Sequence, residues 1–195
     1  MGQSPPDIVS RLAGRRVRQT MADPSLTPAA VLLLLYPKDG DYCVLLNKRS
    51  DLVEHHKGEI SFPGGARDPE DEDLLDTALR ETEEEMGIRR ADVTILGELD
   101  EVATRSRFRV RVFVGTIPYP YSFQPSAVEI DEVLEVPLTS LRNASNLRVE
   151  TRWEQSGPVT NYAYAYHGHL VFGATARILQ QFLELLEGGP EKEEL

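Results

Sequence analysis

Residues 62–88 read FPGGARDPEDEDLLDTALRETEEEMGI. The front of this stretch is turn-rich, its middle is acidic and its back half is amphipathic. Leu75, Ala78, Leu79, Thr82 and Met86 recur at helical spacing and share one face. Asp68-Pro69 and the acidic run 70–73 mark the helix entry, where negative charge suits the positive end of a helix. Gly87 stands where a C-terminal cap belongs. On the opposite face Glu81, Glu84 and Glu85 fall at i, i+3 and i+4, a spacing that gathers three carboxylates over one patch. Like charges so placed repel. Either they form a solvated acidic face, or they hold a hard divalent cation, which takes several oxygens along with water and substrate phosphates. Arg80 beside them can hold a carboxylate through a bidentate contact. A calcium loop built on Asp68, Glu70 and Glu72 fails, because no glycine sits at the sharp turn and no bidentate glutamate follows at the right distance.

The 195 residues suffice for one well-buried domain, and we take 1–195 as a single unit. A formal net charge of −11 makes a poor nucleic-acid binder, whose affinity comes largely from neutralised phosphates, so no nucleic-acid partner is expected. An anionic small-molecule substrate would be met by local arginine, lysine and metal instead. The single cysteine, Cys43, cannot form an intrachain disulfide and reads as packing in an apolar strand. That usage fits a reducing compartment, so a cytoplasmic location is expected. The longest apolar run, 29–36, is too short to span a membrane. Arg15-Arg16 ahead of it lacks the cleavage site of a secretion signal.

Around the central stretch the chain reads as alternating strands and helices. Residues 1–28 form an N-terminal arm whose helix starts at Ser4-Pro5-Pro6 and runs to about Gln19, either packed on the domain or facing substrate or a second copy. The unbroken run 29–35 is a strand buried on both faces. A turn at 37–41 returns the chain as 42–46. Lys48, Arg49 and Ser50 follow at the strand end, suited to phosphate or forming an exposed basic corner. Residues 58–62 lead into Gly64-Gly65, where close backbone approach lets a carbonyl serve as a metal ligand. Residues 93–102 and 108–117 read as two long strands, with Arg105 in the loop between them. Residues 129–137 enter a short helix at 138–143, and Glu129 is a further candidate ligand or base. Strands are expected at 147–153 and 161–166; the Tyr162, Tyr164, Tyr166 stripe is sheet packing or a stacking platform. A closing amphipathic helix spans 173–186, and 188–195 forms an acidic tail.

Gly64-Gly65, Arg80-Glu81, Glu84-Glu85 and Gly87-Ile88 resemble the signature box of the Nudix hydrolases. Two departures stand out. Counting back from Arg80 puts the box acid at Glu72 and an alanine where the glycine belongs; counting forward from Gly65 puts it at Asp71, with one extra residue before Arg80. Thr82 replaces the usual aliphatic residue. The extra residue, together with 45–50 (LLNKRS), His56, Gly58-Glu59 and 62–65 (FPGG), resembles the coenzyme A pyrophosphatase branch. The resemblance implies an α/β fold, an α/β/α sandwich around a mixed β-sheet. It implies Mg²⁺ or Mn²⁺ on Glu81, Glu84, Glu85 and the Gly65 carbonyl, with Glu81 or Glu85 as base and Arg80 orienting the carboxylates. Substrate contacts fall on Lys48, Arg49, Ser50, His56, Arg67 and Arg105. The implied reaction is hydrolysis of the diphosphate of coenzyme A to adenosine 3′,5′-bisphosphate and 4′-phosphopantetheine, by a homodimer. ADP-ribose or a dinucleotide as substrate, or a non-catalytic nucleotide sensor, are the alternatives.

Overall fold

The structure, a computed structural model, describes residues 5–13, 15–19, 23–52, 57–154 and 157–188. His56 lies outside the described residues, as do 1–4 and most of the acidic tail. The elements in chain order are α1 (Pro5–Ala13), β1 (Thr27–Lys38), β2 (Asp41–Arg49), β3 (Ile60–Ser61), β4 (Gly64–Ala66), α2 (Leu74–Met86), β5 (Thr94–Ala103), β6 (Phe108–Thr116), β7 (Ile130–Pro137), α3 (Leu138–Arg142), β8 (Leu147–Glu154), β9 (Gly157–Tyr166), β10 (His169–Val171) and α4 (Gly173–Glu187).

β1 is the spine. It pairs in parallel with β6 along one edge, and antiparallel with β4 and then β2 along the other. β2 carries β3 and β7, and β5 closes the sheet beyond β6, giving seven strands of mixed direction. The unbroken apolar run has a simple cause. Leu33 and Leu35 enter one core with Val44, Leu46, Val112 and Val114. Ala30, Leu32, Leu34 and Tyr36 enter a second core with Cys43, Leu45 and Phe113. A strand covered on both faces has no polar side to show. α1 and α4 cover the first face through Ile8, Leu12, Ile178, Leu179 and Phe182. α2 covers the second through Ala78 and Met86. The result is a helix–sheet–helix sandwich, with β8, β9 and β10 forming a separate three-stranded antiparallel sheet.

The N-terminal helix is shorter than its amphipathic pattern suggests. It ends at Ala13, and residues 15–19 are irregular; the Arg15 guanidinium meets Asp100 at 2.7 Å. Leu12 packs against Gly97, where a Cβ would stand 2.7 Å from it. The arm is therefore docked on the domain. Tyr164 is fully buried and Tyr166 donates to the Glu135 carbonyl, so these two tyrosines of the stripe serve packing.

α2 begins where the acidic run ends. Asp73 caps it, accepting from the Asp76 amide at 2.8 Å, and Gly87 closes it in the left-handed conformation at φ 67°. Gly64 sets the approach of β4 to β1. Its φ is +148°, and a Cβ there would lie 2.3 Å from the Ala30 carbonyl oxygen and 2.7 Å from Val31 Cα. Both obstacles are backbone and cannot swing away. Gly64→Ala should therefore cost roughly 3 kcal/mol or more, combining backbone strain with overpacking. A chemical denaturation curve checks this; a midpoint close to that of the wild type would contradict the packing.

Candidate active site

The site forms where α2 packs on β1 and β4 and reaches the end of β2 through Glu85. Glu85 decides its geometry. Periodicity sends this side chain to the acidic surface, but it is 1% exposed and points into the seam between helix and sheet. There Oε2 accepts from Asn47 Nδ2 at 3.0 Å and from the Gly64 amide at 3.1 Å, and Oε1 accepts from Arg49 at 3.0 Å. Burial pushes its carboxyl up to about 7, against the lowering pull of the Gly64 amide, Arg49 and Asn47. Asn47 is itself fixed by Ser61, which donates to its side-chain oxygen at 2.7 Å. Sequence reasoning quotes Asn47 only as part of the 45–50 stretch and gives it no role, because its partner Glu85 is expected on the surface. The one signal is a polar residue at a fully buried strand position.

Arg80 organises the remaining acids. Its guanidinium holds Asp71 bidentately, with Nε to Oδ1 at 2.8 Å and Nη2 to Oδ2 at 3.1 Å. The same group reaches Glu81 at 2.9 Å and Glu84 at 3.0 Å through Nη1. The Arg80 contact holds the Asp71 carboxyl well below the usual range. The structure thus chooses between the two ways of counting the box: Asp71, buried and paired, is the partner of Arg80, while Glu72 is exposed. The extra residue before Arg80 is absorbed in the loop, where Asp71 also accepts from the Asp68 amide and from Thr77. Thr82 is tolerated in an aliphatic position because its hydroxyl donates back to the Ala78 carbonyl at 2.7 Å.

Glu81 stands at the front of the site, against Gly65. A Cβ on Gly65 would lie 2.6 Å from the Glu81 carboxylate, so only glycine lets the carboxylate rest on this backbone. Burial raises the Glu81 carboxyl, Arg80 opposes that, and the charges of Glu84 and Glu129 add to it. Glu129 is therefore electrostatically part of the site, and its carbonyl accepts from the Ser50 amide at 2.7 Å. Glu84 is the exposed member of the group.

The other expected contacts are already engaged. Arg49 faces Glu85. Lys48 extends to Asp131 at 2.6 Å across the β2–β7 pair. Ser50 is buried and its hydroxyl accepts from the Leu52 amide. Arg67 donates to the carbonyls of Asp71 and Glu72, bracing the loop before α2. Arg105 sits exposed in the β5–β6 turn. Among the described residues no three Asp, Glu, His or Cys side chains converge into a ready cage for a metal ion. Instead the Arg80 guanidinium lies between Glu81 and Glu84, where it supplies positive charge. The oxygen set itself, crowded carboxylates beside a glycine backbone that admits close approach, fits a hard cation such as Mg²⁺.

Two consequences can be measured on the protein in chelator. A carboxyl raised in the folded state binds its proton more tightly there than in the unfolded chain, so folding loses stability as pH rises from about 4.5 to about 7. Glu85→Gln should lack this part of the slope and gain about 2 kcal/mol on the wild type between those limits; parallel melting curves across the range would contradict the burial. Asp71 behaves oppositely. Its carboxyl is held low, so its contribution is present above its ordinary range and lost as pH falls below it. Asp71→Asn should cost roughly 2–3 kcal/mol at neutral pH, less than a fully buried pair because Arg80 is 27% exposed. Denaturant titration at pH 7 checks the size.

Comparison with known proteins agrees with this geometry. Residues 26–156 match the NUDIX domain. The chain is 37% identical to the mitochondrial coenzyme A diphosphatase NUDT8 of Mus musculus, over 94% of this chain and 92% of the mouse protein. It is 36% identical to the Nudix hydrolase NudL of Photorhabdus laumondii, over 82% of this chain and 84% of that protein. The solved Nudix hydrolase RenU of M. smegmatis superposes with a TM-score of 0.56 at 22% identity, covering 86% of this chain and 90% of its own, a likeness of fold. No helix among the described residues is long and apolar enough to cross a membrane. With the box acids gathered on α2 and the domain match spanning the site, the chain belongs to the Nudix hydrolase family.

Proposed function

We propose that the chain hydrolyses the diphosphate linkage of coenzyme A or its thioester derivatives, in the cytoplasm, giving adenosine 3′,5′-bisphosphate and 4′-phosphopantetheine. The observation that carries the reaction is the Glu81 carboxylate, desolvated and seated on Gly65 beside two further acids. The choice of coenzyme A rests on the NUDT8 relatives and on the 45–65 stretch upstream of the box.

Glu81, Glu84, Glu85 and the Gly65 carbonyl are the residues that would hold Mg²⁺ or Mn²⁺, which when bound neutralises the diphosphate and acidifies a water. The protein's own part is positioning and proton transfer. Glu81 Oε1 accepts from Arg80, which leaves Oε2 to take the proton of the attacking water. Its raised carboxyl makes it a better base than an exposed glutamate. Glu85, bound by three donors, suits a fixed oxygen donor more than a proton shuttle, so the base falls to Glu81. Arg49 acts as a positioning residue through Glu85, and Arg80 does so through Asp71. The water oxygen joins one phosphorus, the bridging oxygen leaves with the other phosphate, and the proton departs through Glu81.

The test is to incubate the protein with Mg²⁺ or Mn²⁺ and, separately, coenzyme A, ADP-ribose and NADH, identifying products by mass. Adenosine 3′,5′-bisphosphate formed fastest from coenzyme A is the expected result. AMP from ADP-ribose or NADH, with coenzyme A untouched, would overturn the substrate and keep the chemistry; no product from any of them would favour a nucleotide sensor. Gly65→Ala serves as the companion variant. The obstacle to its Cβ is the end of a flexible side chain, so the fold should stand while Glu81 is displaced, and turnover should fall on the order of 10²-fold. Unchanged turnover would remove Glu81 from its role.

A further inference from the structure

β8 is an edge strand. In the small sheet it pairs with β9 alone, and its outer edge meets no other strand among the described residues. Long exposed edges invite pairing with another chain, and proteins usually shorten or cover them. β10, at the other edge, is only three residues long and ends in the buried Val171. β8 runs for eight residues, and 148–153 are all exposed. One face of the β8–β9 ribbon is apolar. Leu147 and Tyr164 anchor that face in the core. Beyond them Tyr162 is partly buried against the core, while Val149 opposite it and Trp153 opposite Pro158 lie uncovered, with Thr151 opposite Thr160 between them. Trp153 is 82% exposed and Val149 is 56% exposed. An uncovered tryptophan on the same face as core residues is the kind of patch that marks an interface.

The charges on the other face say what covers it. Arg148, Glu150 and Arg152 alternate in sign along one face of β8. In an antiparallel pair of two identical strands, a register centred on residue 150 or 152 sets like charges opposite each other. A register centred on Thr151 sets Glu150 opposite Arg152 of the second copy and Arg152 opposite its Glu150. The same register lays Val149 against Trp153 of the second copy on the apolar face. Pairs directly opposite in a sheet attract or repel according to sign. In the single chain Arg152 reaches Glu150 of its own strand at 2.9 Å, and both side chains are more than 60% exposed, so this local contact contributes little.

We propose that β8 pairs antiparallel with β8 of a second copy about a two-fold axis at Thr151, joining the two small sheets into one of six strands and burying Trp153. The interface is self-complementary, so it closes as a dimer and does not propagate.

Trp153 is the only tryptophan of the chain, so its emission reports directly. Sedimentation across a concentration series should show a monomer–dimer equilibrium, with Trp153 emission shifting to the blue as the dimer forms. Arg152→Glu sets two acidic side chains against each other at both symmetric positions, and Glu150→Arg sets two basic ones there. Each single variant should keep the wild-type circular dichroism and associate roughly thirty-fold more weakly. Mixed in equal amounts, the two variants have opposite charges at both positions and should recover association, as should the double variant E150R/R152E. Trp153→Ser should weaken the dimer without touching the charges. A wild type that stays monomeric, dimerisation indifferent to the single reversals, or a mixture that fails to recover association would each overturn the proposal.

Discussion

The buried carboxylate of Glu85 is the constraint on which the rest of the site depends. Three donors from two strands converge on it: Asn47 and Arg49 from β2 and the Gly64 amide from β4. Taking a carboxylate out of water costs several kcal/mol, and hydrogen bonds to a charged acceptor return about 1.5–3 kcal/mol each. The balance is close, which is why burial still raises its carboxyl to about 7 despite three partners. What the arrangement secures is register. α2 cannot slide or rotate on the sheet without stranding Glu85, so the angle at which Glu81 meets Gly65 is fixed by a residue one helical turn away.

Gly64 and Gly65 divide the work of this junction. Gly64 adopts a backbone conformation closed to other residues and lies against the β1 backbone, which brings its amide to Glu85. Gly65 has no such backbone demand; its missing side chain is the space in which Glu81 sits. One glycine therefore serves the fold and the other the chemistry. The loop that follows is braced by charge. Asp71 and Arg67 fold it onto the start of α2, and Arg80 clamps Asp71 from the helix. This clamp ties the loop that holds the extra residue to the helix.

Much of this is legible in the sequence, for reasons that particular residues make plain. The run 29–35 announces a strand covered on both faces because nothing but apolar side chains survives there. Gly87 and the acidic entry bound α2 closely because caps are local chemistry. The Nudix resemblance, and with it the sandwich, rests on spaced charges that a helix alone has no use for. Periodicity misplaces Glu85 for the same reason that it finds the helix: it sorts charge to the outside. Only the strand opposite, with Asn47 and Arg49 turned inward, reveals the exception. The choice between Asp71 and Glu72 is likewise undecidable by counting, because loop length does not say which of two adjacent acids turns inward. The first helix is overextended in the sequence reading because Arg15, Arg16 and Arg18 continue an amphipathic pattern. The chain instead unwinds, so that Arg15 and the Arg18 amide can both reach Asp100.

Arg80 connects the fold to the reaction. Its charge neutralises Asp71 inside the loop, and the same guanidinium lies between Glu81 and Glu84. Glu81 and Glu84, the acids left on the outer face of the helix, repel unless positive charge arrives. Here Arg80 of the same helix supplies it and holds both carboxylates in place. The counter-charge is also incomplete. One guanidinium faces Asp71, Glu81 and Glu84, with Glu129 adding to the field at Glu81. The excess of negative charge that remains is local to the site. For the diphosphate substrate we propose, charge balance couples its entry to that of divalent cations. The acidic character of the whole chain, net −11, strengthens that coupling.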